Sequence, residues 1–383
     1  MNQKISLVLS GGGARGAYQV GVLKAVSEIL KTSNGEGSPF KILSGSSAGA
    51  INTAKLATGS KNFVAAADEL VQLWSNIKSD QVYKTDLLSL NKFGLGALLS
   101  SSKKFNALLD TTPLKKLIED NCDFSRIQNN LEAGIYDSVI ITANNYSTNT
   151  ATSFIQSAAR VNQELMFWKE SRRKAIHAEI KAEHIMASSA IPVLFPPINI
   201  QGQPHGDGCV RNNTPCSPSL RMGADKLFVI GVRTQTASEA KANDQLNIEQ
   251  KPHSEASMVR IFNTLLNAVL LDSVEQDVQR IQRINDLVDE VKKLDPQFES
   301  KKLKKIPALC ISPSLDIGEI ARQKAHHMPR ILRMSINAFG QLDEASEILS
   351  YLLFDSEFCR NLIEIGYNDA LKQKMDIERF FHE

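Results

Sequence analysis

Twice within its first 60 residues the chain runs from a short apolar strand pattern through a glycine-bearing turn into a helical pattern. In the first unit Leu7, Val8 and Leu9 precede Gly11-Gly12-Gly13-Ala14-Arg15-Gly16, and Ala17, Val20, Val22, Leu23 and Val26 follow at helical spacing. In the second, Phe40-Lys41-Ile42-Leu43 leads into Ser44-Gly45-Ser46-Ser47-Ala48-Gly49-Ala50, with Ile51, Ala54 and Leu56 beyond. Successive strand–turn–helix units predict an α/β sandwich with a mostly parallel sheet. No other feature narrows the fold as far.

A glycine turn that opens a helix is a site for negative charge, because backbone N–H groups point outward and the helix dipole favours an anion. Gly11, Gly13 and Gly16 satisfy G-x-G-x-x-G, which admits a dinucleotide and hence an oxidoreductase. That reading needs an acidic residue at the end of the second strand, and the strand ends instead in a serine and glycine turn. Glu36 precedes the strand and is poorly placed for a ribose. A Walker loop fails too, since no Gly-Lys-Ser/Thr follows the glycines. Gly45-Ser46-Ser47-Ala48-Gly49 fits G-x-S-x-G, the elbow that lifts a nucleophilic serine to a helix N-terminus. Alone it reads equally as a small-residue turn. Beside an upstream glycine loop it supplies what acyl transfer needs, a nucleophile and a place for an oxyanion.

The 383 residues, 42% of them hydrophobic, suffice for one large domain with an appendage, or for two domains. A formal net charge of +2 favours neither nucleic acid nor a strongly anionic partner. Cys122, Cys209, Cys216, Cys310 and Cys359 show neither metal-binding nor disulfide spacing and suit a reducing compartment. No signal peptide is visible, and no window approaches the roughly 18 consecutive apolar residues of a membrane span. The expectation is a cytoplasmic protein whose membrane contact, if any, is peripheral, with no cofactor and no metal.

Further along, residues 65–77 read as a helix, and residues 86–110 read as a mobile amphipathic cover or, equally, as a buried connection. Strands are expected at 138–142, 153–155, 227–232 and 308–311, and a charged helix over 160–186 with Arg172, Arg173 and Lys174 beside Phe167 and Trp168. Residues 235–257 read as a polar linker or exposed loop. Ile261, Leu265, Val274, Val278, Ile281, Leu287, Val288, Val291 and Leu294 predict one long amphipathic helix, with helices to the end after the last strand. The four lysines among residues 301–305 read as a solvated loop. The implied organisation is a catalytic domain over 5–235, a linker over 236–256 and a mainly helical region over 257–383.

A serine hydroxyl needs a base. None of His177, His184, His205, His253, His326, His327 and His382 sits in a glycine-rich turn after a clear strand, where a triad histidine is usually presented. Asp207 is better placed, between Gly206 and Gly208 in a loop that leads to a buried strand. Desolvation beside the serine would raise its pKa from about 3.9 and strengthen it as a base. An isolated Asp-Gly is also a common β-turn.

These motifs together resemble the patatin-like phospholipase family, whose pattern is G-G-G-x-[RK]-G, then G-x-S-x-G, then D-G-[GA]. The stretches SSAIPVLFPP, DGCVRNNTP and GYNDA are also similar to the family, so the resemblance spans nearly the whole chain. It implies a three-layer α/β/α core with a mainly helical C-terminal region. It implies Ser47 as nucleophile, Asp207 as base and the backbone around Gly12, Gly13 and Ala14 as oxyanion hole. Gly45, Ser46, Ala48 and Gly49 would form the elbow, and Gly208 and Cys209 the base loop. Arg15 would either hold the glycine loop in shape or help neutralise a phosphate. Cys209 departs from the glycine or alanine usual there. The implied activity is hydrolysis of phospholipid or other acyl-lipid esters at a transient membrane surface. A transacylase or thioesterase would use the same residues, and an idle lipid-binding module would not need them intact.

Overall fold

Every residue of the strands β1 (Ile5–Leu9), β2 (Ile42–Ser46) and β9 (Lys226–Ile230) is buried, which requires helices on both faces of the sheet they share. The computed structural model describes residues 3–30, 37–85, 107–234, 257–270, 273–298, 300, 303–339 and 341–382. The remaining strands are β3 (Ser138–Asn145), β4 (Thr150–Ser157), β5 (Trp168–Glu170), β6 (Arg173–His177), β7 (Ile198–Ile200), β8 (Gln203–Gly206) and β10 (Ala308–Ile311). The sheet order is β10-β9-β1-β2-β3-β4-β6-β5, with β8 on β3 and β7 on β8. From β10 to β3 all pairs are parallel; β4 then runs antiparallel to β3. The expected mixed α/β architecture is therefore present, with helices filling the C-terminal region.

The first helices are α1 (Gly16–Leu30), α2 (Ala48–Thr58) and α3 (Phe63–Ser75). Asn62 caps α3 by accepting from the N–H groups of Val64 and Ala65, at 2.9 and 3.2 Å. Trp74 near its end is fully buried and donates to Asn52 Oδ1 on α2 at 2.7 Å. Helix α1 packs on the helix Ser356–Lys372 near the C-terminus. There Asp369 accepts from Tyr18 Oη at 3.3 Å and from the Ser314 N–H at 2.9 Å, which gives the GYNDA stretch a structural task.

One expectation is corrected. The charged stretch 160–186 is not a helix: β5 and β6 form a hairpin at the sheet edge, with Arg172 in its turn at φ 65°. Only Ala182–Ser188 is α-helical there. Charge on an edge strand blocks unwanted pairing, and with a single fully buried residue in β6 the apolar alternation is too weak to read. Glu170 pairs with Arg173 within the hairpin and with Arg221 beyond it, and the Arg221 guanidinium stacks 4.7 Å over Trp168. Of the long helix expected from Ile261 to Leu294, Met258–Leu270 and Ser273–Leu294 are helical, and residues 271–272 lie outside the described residues.

Residues 86–106 of the expected cover, and 235–256 of the expected linker, lie outside the described residues. The flanks of the first are fixed: Lys84 bridges Asp110, and the Leu109 N–H donates to Leu194 at 2.9 Å. Of the lysine run, Lys304 pairs with Asp225 at 2.5 Å and Lys305 with Asp289 at 2.6 Å. Among the described residues no helix is long and apolar enough to cross a membrane.

Candidate active site

Parallel pairing of β1 with β2, Leu9 opposite Gly45, brings the two glycine turns side by side at the carboxyl ends of their strands. This is where open α/β sheets place their ligands. Ser47 links β2 to α2 with φ 54° and ψ −126°, a conformation that side chains rarely adopt and that turns the chain sharply. The turn is held on both sides of its peptide. The Ser47 N–H donates to Ser188 Oγ at 2.9 Å, and Ser188 Oγ donates to the Thr142 carbonyl at 2.6 Å. The Ser47 carbonyl accepts from Ser189 Oγ at 3.1 Å and from the Ala50 N–H at 2.8 Å. Gly49 allows the first turn of α2 to lie against the end of β1, since a Cβ there would overlap the Leu9 carbonyl.

Asp207 arrives from β8, which β3 positions through the Asn144–Gly206 pairing. It caps a single 3₁₀ turn, Gly208–Val210, by accepting at Oδ1 from the Cys209 N–H at 2.9 Å. Its own N–H donates to the Ala190 carbonyl at 2.9 Å. Oδ2 accepts from Ser47 Oγ at 2.6 Å, joining two residues 160 positions apart. Asp207 has no exposed surface and Ser47 only 4%. Burial raises the Asp207 carboxyl from 3.8 to about 6, against the opposing pull of the hydrogen bonds from Ser47 and Cys209. A carboxylate of that pKa, bonded to a hydroxyl, can take its proton near neutral pH. Asn212 connects the two loops by donating to Ser46 Oγ at 3.3 Å.

The glycine loop passes from Gly12 into a 3₁₀ turn, Gly13–Arg15, with Gly13 at φ 57°. Its shape is set from the C-terminal helix Ser346–Leu352. Buried Arg15 donates from Nε to Ser350 Oγ at 2.8 Å and from Nη1 to the Val232 carbonyl at 3.3 Å. It also pairs with Glu347, and its guanidinium lies 5.5 Å from the Tyr351 ring centre. Of the two readings of Arg15, the loop-holding one has its partners in place. Cys209 is buried with its Sγ against Gly11, and burial with the nearby Asp207 pushes its thiol well above the usual range.

Three of the histidines have partners of their own. His205 is buried in β8, its Nε2 3.1 Å from Asn145 Nδ2 and its Nδ1 2.9 Å from the Gln203 carbonyl. His184 Nδ1 accepts from the Lys181 N–H at 3.0 Å, and His327 pairs with Asp355 at 3.1 Å. His253 lies outside the described residues. Among the described residues, no group of three or more His, Cys, Asp and Glu could hold a metal ion. Ser188, Ser189, Asn212 and Tyr351 were given no role by the sequence. The first two stand in the SSAIPVLFPP stretch and Asn212 in DGCVRNNTP, so a signal existed without a function attached.

A family model described as patatin-like phospholipase matches residues 7–220, a span that holds the glycine loop, Ser47 and Asp207. No protein of curated function matches the chain. Among solved structures, VipD from Legionella pneumophila is similar at 12% identity and a TM-score of 0.38, over 98% of this chain and 67% of that one. Human GIVD cytosolic phospholipase A2 in complex with methyl gamma-linolenyl fluorophosphonate is similar at 12% identity and a TM-score of 0.35, over 99% of this chain. This chain spans 59% of the length of that enzyme.

Proposed function

The chain belongs to the patatin-like phospholipase family, and on that premise we propose that it hydrolyses fatty-acyl esters of phospholipids or lysophospholipids through Ser47 and Asp207. The observation that carries this reading is the 2.6 Å hydrogen bond from Ser47 Oγ to a fully buried carboxylate. Ser47 Oγ attacks the ester carbonyl while Asp207 Oδ2 takes its proton. The charge that develops on the carbonyl oxygen faces the N–H groups of Gly12, Gly13 and Ala14. The Ser47 N–H is committed to Ser188 and is not among those donors. Collapse breaks the ester bond as Asp207 returns the proton to the departing alcohol, leaving an acyl-enzyme. Water then attacks that acyl group, losing its proton to Asp207, and Ser47 is regained with release of the fatty acid.

The carboxylate form of Asp207 is the active one. Fatty-acid release from mixed phospholipid vesicles, followed by mass spectrometry, should therefore fall about tenfold for each pH unit below about 6 and level off above it. Ser47→Ala should release none at any pH. A rate that stays flat down to about pH 4.5 would contradict a base of raised pKa.

A further inference from the structure

The sheet edge that carries Ser47 also carries arginines that the dyad does not use. β3 runs parallel to β2, so residues 146–149, which join it to β4, lie at the same edge as Ser47. β6 begins beside them, with Arg173 opposite Ala151 and the Ala151 N–H donating to the Arg172 carbonyl at 2.9 Å. Past Asp207 and its 3₁₀ turn the base loop crosses this edge as residues 211–214, and three arginines bond there. Arg211 Nε donates to Asn149 Oδ1 at 2.9 Å. Arg280 Nη1 donates to the Asn213 carbonyl at 3.3 Å, and Arg173 Nη1 donates to Thr214 Oγ1.

Most of these contacts leave the charge unanswered. Glu170 is shared between Arg173 and Arg221. Asp277, one turn before Arg280, is buried and accepts from the Cys216 N–H at 2.9 Å. Arg172 and Arg280 are exposed, and among the described residues neither they nor Arg211 pairs with a carboxylate. Elsewhere exposed lysines are matched, Lys304 by Asp225, Lys305 by Asp289 and Lys324 by Glu357. A cluster of one sign at the edge of a site attracts an anion, and the guanidinium fork fits the oxygens of a phosphate. The place suits a lipid. Only the glycerol backbone separates phosphate from ester in a glycerophospholipid, and one 3₁₀ turn separates Arg211 from Asp207. Next to Arg211, Asn212 touches Ser46 Oγ at 3.3 Å.

We propose that Arg211, with Arg173 and Arg280 beside it, holds the phosphate of the lipid headgroup while Ser47 takes the ester. The assignment rests on the acyl-hydrolase reading above. It makes phosphate-bearing acylglycerols the preferred substrates over neutral glycerides. The test uses a short-chain monoacyl glycerophosphate and the monoacylglycerol of the same chain, both kept soluble so that surface adsorption plays no part. Its readout is the ratio of their kcat/KM values. Arg211→Gln should lower the ratio about tenfold, mainly through KM for the glycerophosphate. Arg280→Gln, at an exposed helix position, should lower it about threefold, so the test does not depend on one variant folding. Arginines that merely stitch the base loop would slow both substrates alike when replaced, and that result would overturn the assignment. An unchanged ratio in the folded variants would do the same. Inorganic phosphate that raises the melting temperature of the wild type but not of Arg211→Gln, with the ratio unchanged, would give the arginines to free phosphate and overturn the headgroup role. A wild-type protein that hydrolyses neither ester would overturn the acyl-hydrolase reading itself, so the two failures are distinguishable.

Discussion

Replacing Asp207 with asparagine should cost about 10³-fold or more in ester hydrolysis while raising the melting temperature at pH 8. The loss of rate follows from the role of the carboxylate: an amide cannot accept the proton from Ser47 Oγ. The gain in stability follows from the same burial that makes the base useful. Asp207 titrates near 6 in the folded protein against an ordinary 3.8. Between those values the folded state binds more protons than the unfolded one, so stability falls as pH rises through that window. Two units correspond to about 3 kcal/mol lost by neutral pH. The neutral amide escapes this cost, less what it gives up in hydrogen bonds to Ser47 Oγ and the Cys209 N–H. Thermal melts of both proteins at about pH 4.5 and 8 check the sign, since the advantage of the variant should grow with pH. A variant that is less stable at pH 8, or that keeps a tenth of the activity, would contradict the account.

Gly13→Ala is the second large effect. At φ 57° an alanine costs about 1–2 kcal/mol, and its Cβ would overlap the Tyr351 carbonyl. That neighbour is backbone in a helix fixed through Ser350 and Leu352, so the glycine loop must move instead. Displaced donors lower kcat by about 10²–10³ with a smaller change in KM. Gly202→Ala is the control, because Gly202 also has positive φ, at 80°, but nothing within 4 Å of its added Cβ. It should lose a similar increment of backbone stability and keep its activity. Wild-type kcat in Gly13→Ala would separate the loop from the chemistry.

What was legible in the sequence was local. Strand, glycine turn and helix succeed one another within a few residues, so β1, β2 and the sharp turn at Ser47 follow from neighbouring residue types. Asp207 stood out because glycines flank it in a loop before a buried strand. That the two would meet at 2.6 Å was implied by resemblance to a family and not by spacing, for 160 residues separate them. The supports were illegible for the same reason. Ser188 and Ser189 reach Ser47 from 141 and 142 residues away, and Ser350 reaches Arg15 from 335. Tyr351 carries no local mark, since its place is set by the partners of Arg15 and Gly13. The misreading at 160–186 has a different cause. Arg173, Lys174 and Ile176 are only partly buried in β6, one strand in from the sheet edge, so the stretch reads as a solvated helix face when the sheet is unknown.

The central claim is that Ser47, activated by Asp207, is the nucleophile. A long-chain alkyl fluorophosphonate forms a stable bond with an activated serine, and intact-mass and peptide mass spectrometry locate the adduct. One equivalent should attach to the wild-type protein, on Ser47, with labelling abolished in Ser47→Ala and slowed at least about 100-fold in Asp207→Asn. Labelling of another residue, or an Asp207→Asn protein that reacts as fast as the wild type, would contradict it.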